Sequence, residues 1–153
     1  TGTKGKTTSS FLVKSILAGG AVPHRLGLSE TILIFDNHLN LLGGRARLPE
    51  LIGGMRAAAC EKKIMVECDT LAQAMQAIEA GADGIQFDKV SPAQLMDWCE
   101  QIKVSAPSVA VLAAGGIRPD NAEDYALSGV HGLVLSSVYH APPADLEVRI
   151  VAI

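Results

Sequence analysis

The segment at residues 19–38, GGAVPHRLGLSETILIFDNH, carries the signals that decide the fold. Its glycine pair is expected to end a preceding helix, and Pro23 disfavours a helical conformation at the residue before it. The apolar, β-branched run at residues 31–35 predicts a buried strand, and a polar segment at residues 36–38 follows it directly. Ligands bind at the carboxyl ends of strands in parallel α/β proteins, so this polar segment is a candidate site.

Beyond this segment, apolar runs that predict strands alternate with periodic stretches that predict helices. Further strands are expected at residues 64–67, 84–87, 109–113 and 132–135, and helices at residues 9–17, 48–59, 71–80, 92–102 and 119–127. Thr70 and Ser91 are of the residue types that cap helix N-termini, and Pro92 suits a first helical turn. The alternation predicts an α/β protein whose parallel strands are joined by right-handed crossovers, as in a β/α barrel.

The number of predicted strands leaves the architecture open. Five strands are too few to close a β/α barrel. The residues alone therefore allow either an open parallel sheet or part of a barrel whose remaining strands lie outside this sequence.

Composition excludes several classes of protein. The 153 residues suit one domain, and the net charge of −3 gives no reason to expect nucleic-acid binding. No apolar run is long enough to span a bilayer, and the first residues lack a signal-peptide pattern. The three cysteines are odd in number and show no CxxC spacing, so we expect reduced thiols in a cytoplasmic protein rather than disulfides or a zinc site.

Polar residues and glycine pairs recur where the predicted strands end. In chain order they are Asp36, Glu67, Asp88, Gly115, Gly116, Ser136 and Ser137. A barrel would bring these ends to one mouth, where converging carboxylates need a cation, a metal or hydroxyl groups to offset their repulsion. The hydroxyls of a ribose and a Mg²⁺-bound pyrophosphate would fit, and glycine pairs let backbone N–H groups approach a phosphate. The alternative is that the aspartates only cap turns.

The segment at residues 1–8, TGTKGKTT, predicts a phosphate-binding loop in front of a helix. It is similar to the ATP loop of Mur-type ligases, with Lys6 as the phosphate-binding cation. An ATP-dependent ligase or kinase is therefore one hypothesis, and a solvated chain terminus is the alternative.

Taken in order, these motifs resemble the barrel domain of the quinolinate phosphoribosyltransferase family (nicotinate-nucleotide pyrophosphorylases). The resemblance covers residues 11–149, and the wording HRLGLSETILIF is closest to the ModD branch, a relative associated with molybdenum-transport genes. It implies that residues 1–153 are part of a parallel β/α barrel, with an N-terminal domain and the first barrel strands upstream. It also implies a homodimer or higher homo-oligomer with shared active sites, so the fragment alone is expected to be inactive.

The resemblance also assigns roles to individual residues. Glu67, in MVECDTL, and Asp88, in QFDKVSP, match two carboxylates that act beside the ribose and Mg²⁺ and are the expected catalytic residues. The expected substrate-binding residues are His24, Arg25, Lys89, Gly115, Gly116, Ser136 and His140. Within that set, the His-Arg pair would face substrate carboxylates and the glycine pair would hold phosphate.

Several positions depart from the family pattern. Phe35 stands where the family has lysine, Lys89 where it has asparagine, Ala114 where it has serine, and Ser136 where it has glycine. The Arg-Lys pair expected near the start is also not recovered. If each charged hydrogen bond contributes roughly 1.5–3 kcal/mol, the losses should weaken quinolinate binding, and Lys89 would restore one charge. The phosphoribosyl half of the site is therefore better supported than the quinolinate half.

The leading functional prediction is a ModD-like phosphoribosyltransferase that uses phosphoribosyl pyrophosphate with Mg²⁺. The acceptor would be a pyridine dicarboxylate or a similar nitrogen heterocycle. The alternative from another class is a non-catalytic oxyanion- or phosphate-binding protein that serves molybdate transport.

Overall fold

The computed structural model describes residues 20, 22 and 30–137. The strands are β1 (Ile32–Ile34), β2 (Ile64–Cys68), β3 (Gly84–Asp88), β4 (Ala110–Ala114) and β5 (Gly132–Val134). The helices are α1 (Asp36–Leu41), α2 (Leu48–Ala58), α3 (Leu71–Glu79), α4 (Pro92–Ser105) and α5 (Ala122–Leu127), with a short 3₁₀ helix at Arg45–Arg47. Within this part of the chain, no helix has the length and apolarity needed to cross a bilayer.

The five strands form one parallel sheet whose spatial order is the chain order, β1-β2-β3-β4-β5. Crossovers between neighbouring parallel strands are right-handed in nearly all proteins, and with that handedness successive helices pack on the same side of such a sheet. The predicted α/β architecture, with five parallel strands that alternate with helices, is confirmed. Each predicted strand boundary lies within one residue of the observed one.

Two predicted helix starts have the caps that the sequence indicated. The Thr70 hydroxyl accepts a hydrogen bond from the Gln73 N–H at 3.2 Å, which satisfies a free donor in the first turn of α3. The Ser91 hydroxyl accepts one from the Gln94 N–H at 3.4 Å at the start of α4. These local contacts fix where both helices begin.

Three regions differ from the sequence prediction, and the simplest case is α4, which ends at Ser105 rather than near residue 102. No helix was predicted at the polar segment of residues 36–38, but this segment begins α1, because Leu39 turns into the core and is only 1% exposed. The helix expected from residue 119 begins at Ala122 instead. The Asn121 side chain accepts a hydrogen bond from the Arg118 N–H at 2.8 Å, which stabilises a turn ahead of the helix. The helix predicted at residues 9–17 lies outside the described residues.

The outer face of the sheet packs against the helices. Strand side chains alternate between the two faces, and the buried ones that join the helices in one core are Ile34, Val66, Cys68, Ile85, Phe87, Val111 and Ala113. Phe87 contacts Trp98 of α4, with ring centroids 5.1 Å apart. This rigid outer core holds the strand ends, and hence the side chains of the opposite face, in fixed register.

Asp83 ties α2 to the amino-terminal end of the sheet. Its Oδ2 atom accepts hydrogen bonds from the Ile64 N–H at 2.8 Å and from Arg56 Nη1 at 2.9 Å. Burial raises the pKa of Asp83, but these hydrogen bonds and the Arg56 charge outweigh it, so the pKa lies below its ordinary value. The contact therefore stabilises the end of the sheet that lies away from the strand carboxyl ends.

Candidate active site

The face of the sheet opposite the helices carries the predicted catalytic carboxylates. Glu67 lies between the core residues Val66 and Cys68, so it points to the opposite face, which we call the inner face. By the same alternation this face includes Leu33, Met65, Glu67, Gln86, Asp88, Leu112 and Ala114. The acidic side chains lie at the carboxyl end of the strands, the edge where parallel α/β folds bind ligands.

Glu67 is held by a neighbour on the next strand. Glu67 of β2 and Gln86 of β3 are register partners, and Gln86 Nε2 donates to Glu67 Oε2 at 3.1 Å. Burial raises the pKa of Glu67, the Gln86 hydrogen bond opposes it, and the negative charge of Asp88 adds to the increase. The net pKa lies above its ordinary value, so a cation or hydroxyl donor at this position would favour the charged form.

Asp88 begins a tight turn at the end of β3. Its Oδ2 atom pairs with Lys89 Nζ at 2.9 Å, and the hydrogen bond to Asp88 raises the pKa of Lys89. Lys89 has φ 57°, in the left-handed region that side chains other than glycine, asparagine and aspartate seldom adopt. Its N–H donates to the Ala114 carbonyl at 2.9 Å, which joins the turn to the end of β4. The turn thus presents one cation and one carboxylate at the same edge.

The predicted glycine pair lies against this turn. Gly115 and Gly116 have φ 79° and 71°. A Cβ atom at Gly115 would collide with Asp88 Oδ1 and lie 2.6 Å from Lys89 Cγ, whereas one at Gly116 would meet nothing within 4 Å. Gly115 therefore permits the close packing of the two loops. Gly116 leaves exposed backbone of the kind that approaches anions.

Arg45 is a charged residue at this edge that the sequence did not identify. Its guanidinium pairs with Asp36 and reaches the ends of β1 and β2. Nη2 lies 3.5 Å from the Glu67 carbonyl, and Nη1 lies 3.8 Å from Cys68 Sγ. These contacts cross 22–23 residues of chain, so the residue pattern around Arg45 gave no signal of them.

Cys68 lies under Arg45 but has the character of a structural thiol. It is 1% exposed, and burial raises the pKa of the thiol to about 11, although the Arg45 charge opposes the shift. The thiolate is the nucleophilic form of cysteine, and this environment disfavours it. The geometry agrees with the sequence interpretation of Cys68 as a reduced, non-catalytic residue.

The structure brings some of the predicted site residues together and leaves others aside. Glu67, Asp88, Lys89, Gly115 and Gly116 lie on adjacent strands or the turns that follow them. Ser136 is exposed just after β5, at the same edge of the sheet. His24, Arg25, His140 and the loop at residues 1–8 lie outside the described residues. Within residues 30–137, the structure contains no cluster of three or more His, Cys, Asp or Glu side chains suited to hold a metal ion.

A separate groove lies at the opposite end of the sheet. Its volume is about 310 Å³, and its lining includes Ile102, Val109, Leu127 and His131. These residues lie on α4 and α5 or near the amino-terminal ends of β4 and β5. That end of a β/α barrel contributes to stability rather than to catalysis, so the groove is not the candidate site.

Comparison with known families agrees with this geometry. The family model described as quinolinate phosphoribosyl transferase, C-terminal domain, matches residues 7–149. The chain belongs to this family. The match includes Glu67, Asp88 and the glycine pair, and the resemblance identified in the sequence is confirmed.

Two curated relatives represent the two branches that the chain resembles. The chain is 36% identical to ModD of Escherichia coli O157:H7, which is named as a candidate pyrophosphorylase. The 137 aligned residues cover 90% of this chain and 48% of the relative. The chain is also 36% identical to the human nicotinate-nucleotide pyrophosphorylase (carboxylating). The 151 aligned residues cover 96% of this chain and 50% of the relative. The chain thus spans about half the length of these family members.

Solved structures of the family share the fold. NadC from Streptococcus pyogenes superposes with a TM-score of 0.66 at 27% identity, over 84% of this chain and 44% of the other. The nicotinate-nucleotide pyrophosphorylase of Ehrlichia chaffeensis superposes with a TM-score of 0.70 at 22% identity, over 82% and 43%. The predicted fold, the parallel β/α architecture of this family, is confirmed.

Proposed function

We propose that the protein is a phosphoribosyltransferase of the quinolinate type. It would transfer phosphoribose from phosphoribosyl pyrophosphate to the ring nitrogen of a pyridine carboxylate or a similar acidic heterocycle. The observation that carries the proposal is the placement of Glu67 and Asp88 on the inner face of adjacent strands, at the carboxyl edge of a sheet of this family.

The two carboxylates suit a reaction in which positive charge develops on the sugar. The bond between the anomeric carbon and pyrophosphate breaks as the ring nitrogen attacks, through an oxocarbenium-like state. Negative charges fixed near the ribose stabilise that state more than the ground state, and their oxygens can accept hydrogen bonds from the ribose hydroxyls. Mg²⁺ bound to the pyrophosphate would neutralise the leaving group, and carboxylate oxygens such as those of Glu67 and Asp88 are donors that it prefers.

The cations at the same edge indicate an anionic substrate. Lys89 is largely exposed and its charge is only partly offset by Asp88. Arg45 supplies a second positive charge between β1 and β2, although its contacts with Asp36 engage part of the guanidinium. An acidic base and the phosphate groups would both be attracted to this edge.

A turnover assay on the full-length protein tests the proposal. Phosphoribosyl pyrophosphate, Mg²⁺ and a panel of pyridine mono- and dicarboxylates would be incubated with the protein, and pyrophosphate release and the mononucleotide product would be measured. Glu67→Ala and Asp88→Ala should each lower kcat/KM by at least about 100-fold. The matched control Glu79→Ala removes an exposed carboxylate of α3 and should leave the rate unchanged. Full activity in both site variants would reject the assignment.

A departure from the family pattern favours a second candidate function. Phe35 directly follows β1, at the position where the resemblance expects a lysine, so the base-binding half of the site lacks a cation there. We therefore also consider a non-catalytic protein that binds an oxyanion or a phosphorylated ligand and serves molybdate transport. Tight binding of molybdate or phosphate, without product formation from any base, would support this candidate over the transferase.

We further propose that the full-length protein is a cytoplasmic homodimer or higher homo-oligomer. The proposal follows the family resemblance, which implies active sites completed by a partner subunit. Light scattering coupled to gel filtration should give at least twice the subunit mass. A monomer with full transferase activity would contradict the shared-site arrangement.

A further inference from the structure

We propose that Gln86 is a positioning residue for Glu67: its side-chain amide holds the carboxylate in place for the sugar-phosphate substrate. The inference rests on the proposed function, because it assigns a role within the same site. None of the patterns that identified Glu67 and Asp88 pointed to Gln86, which occupies the middle of an apolar strand, GIQFD.

The geometry makes Gln86 a rigid support. Its backbone is fixed between Ile85 and Phe87, which are both fully buried in the outer core. Its side chain crosses to the register partner on β2, and Nε2 lies 3.1 Å from Glu67 Oε2. A donor that is anchored on both sides in this way restricts the direction of the half-buried carboxylate.

Stability alone does not explain a glutamine at this position. Gln86 is 6% exposed, and its Oε1 atom is buried without a hydrogen-bond partner among the described residues. A buried carbonyl that lost water without gaining a partner destabilises the fold, whereas an apolar side chain of similar length would avoid that cost. Leu112, the register partner on the other side, shows that this layer of the inner face accepts apolar side chains. The contact with Glu67 is therefore the feature that the amide adds.

A neutral donor also suits the charge required of Glu67. Arg45 reaches only the backbone carbonyl of Glu67, and Lys89 pairs with Asp88, so neither described contact places a cation directly on the Glu67 carboxylate. The amide of Gln86 orients the carboxylate without cancelling its negative charge. The charge stays available for the ribose and for the positive character that develops during transfer.

The test uses Gln86→Met in the full-length protein, since methionine keeps the length and removes the amide. We expect the Kd for phosphoribosyl pyrophosphate with Mg²⁺ to rise about tenfold, because the Glu67 side chain would then have to be ordered when the ligand binds. The melting temperature should be unchanged or higher. The NMR chemical shift of the Glu67 carboxyl carbon should differ from its value in the wild type. This resonance can be assigned because it is absent in Glu67→Gln. In the Glu67→Gln background, Gln86→Met should have no further effect on binding.

A matched control is available on the surface. Gln101 Nε2 donates to Asp97 Oδ2 at 3.0 Å on the exposed side of α4, so Gln101→Met removes the same kind of contact away from the site. It should leave binding and the Glu67 resonance unchanged. Gln86→Leu repeats the test with a different apolar shape.

The outcomes separate the inference from the function on which it rests. If the wild type binds phosphoribosyl pyrophosphate and both Gln86 variants bind it with the wild-type affinity, the positioning role is wrong. It is also wrong if both variants lose several degrees of melting temperature. An unshifted Glu67 resonance in the variants also overturns it, whether or not the wild type binds. If the wild type does not bind phosphoribosyl pyrophosphate, the proposed function fails, and the resonance alone decides whether Gln86 orients Glu67.

Discussion

The contact between Gly115 and the Asp88 turn leads to a quantitative prediction. Replacing Gly115 with alanine adds one Cβ atom that would collide with Asp88 Oδ1 and lie 2.9 Å from the Lys89 backbone nitrogen. The two loops cannot move apart freely, because the Lys89 N–H donates a hydrogen bond to the carbonyl of Ala114, the residue before Gly115. Gly116→Ala is a matched control, since its φ of 71° is similar but its Cβ atom would have open space around it.

The two substitutions share one cost and differ in another. An alanine in the left-handed region costs about 1–2 kcal/mol at either position. At position 115 the overlap with neighbouring loops adds about 1–3 kcal/mol, as for other overpacked sites. The free energy of unfolding should therefore fall by about 1–2 kcal/mol for Gly116→Ala and by about 2–5 kcal/mol for Gly115→Ala.

Urea unfolding of the full-length protein, followed by circular dichroism, measures this difference. Gly115→Ala should also displace Asp88 and weaken the binding of phosphoribosyl pyrophosphate. Equal destabilisation by the two variants would refute the packing argument. So would a Gly115→Ala protein that binds the ligand with wild-type affinity.

Three further predictions follow from charge and burial at individual residues. Lys89→Asn removes a positive charge and should weaken the binding of phosphate ligands roughly fivefold at low salt. The melting temperature should not fall, because asparagine tolerates the positive φ of this position. Unchanged affinity by calorimetry would exclude a role of Lys89 in anion binding. Alkylation at pH 7.5 should modify the exposed Cys60 and spare Cys68, whose pKa is raised to about 11; mass spectrometry that finds both labelled at equal rates would contradict the burial of Cys68. The pKa of Asp83 is lowered in the folded state, so its contribution to stability is present above its unfolded-state pKa and is lost as pH falls through the folded value. Asp83→Asn should therefore lose less stability than wild type in acid, and urea-unfolding curves with the same pH dependence for both proteins would disprove this.

The fold was predictable because its signals are local. Each strand is a short apolar run with a polar residue or a glycine at its end or just after it, and Thr70 and Ser91 mark helix starts by their side chains. The six-residue α1 was missed because its sequence, DNHLNL, has weak helical preference and depends on the burial of Leu39. Burial of that kind is a tertiary effect and leaves little trace in the neighbouring sequence.

The candidate site was predictable only in part. Glu67 and Asp88 could be identified because they end apolar runs, and position at a strand end is visible in the sequence. Arg45 acts across a distance of more than twenty residues in the chain, which no local pattern encodes. Gln86 did leave a signal, a polar residue inside a buried strand, but its partner became evident only from the register of β2 and β3.

The central claim is that Glu67 and Asp88 form a sugar-phosphate site at the carboxyl edge of the sheet. Calorimetric titration of the full-length protein with phosphoribosyl pyrophosphate and Mg²⁺, beside Glu67→Ala and Asp88→Ala, tests it most directly. The account predicts saturable binding by the wild type and a Kd at least about tenfold higher in each variant. Absence of binding by the wild type, or equal binding by all three proteins, would contradict it.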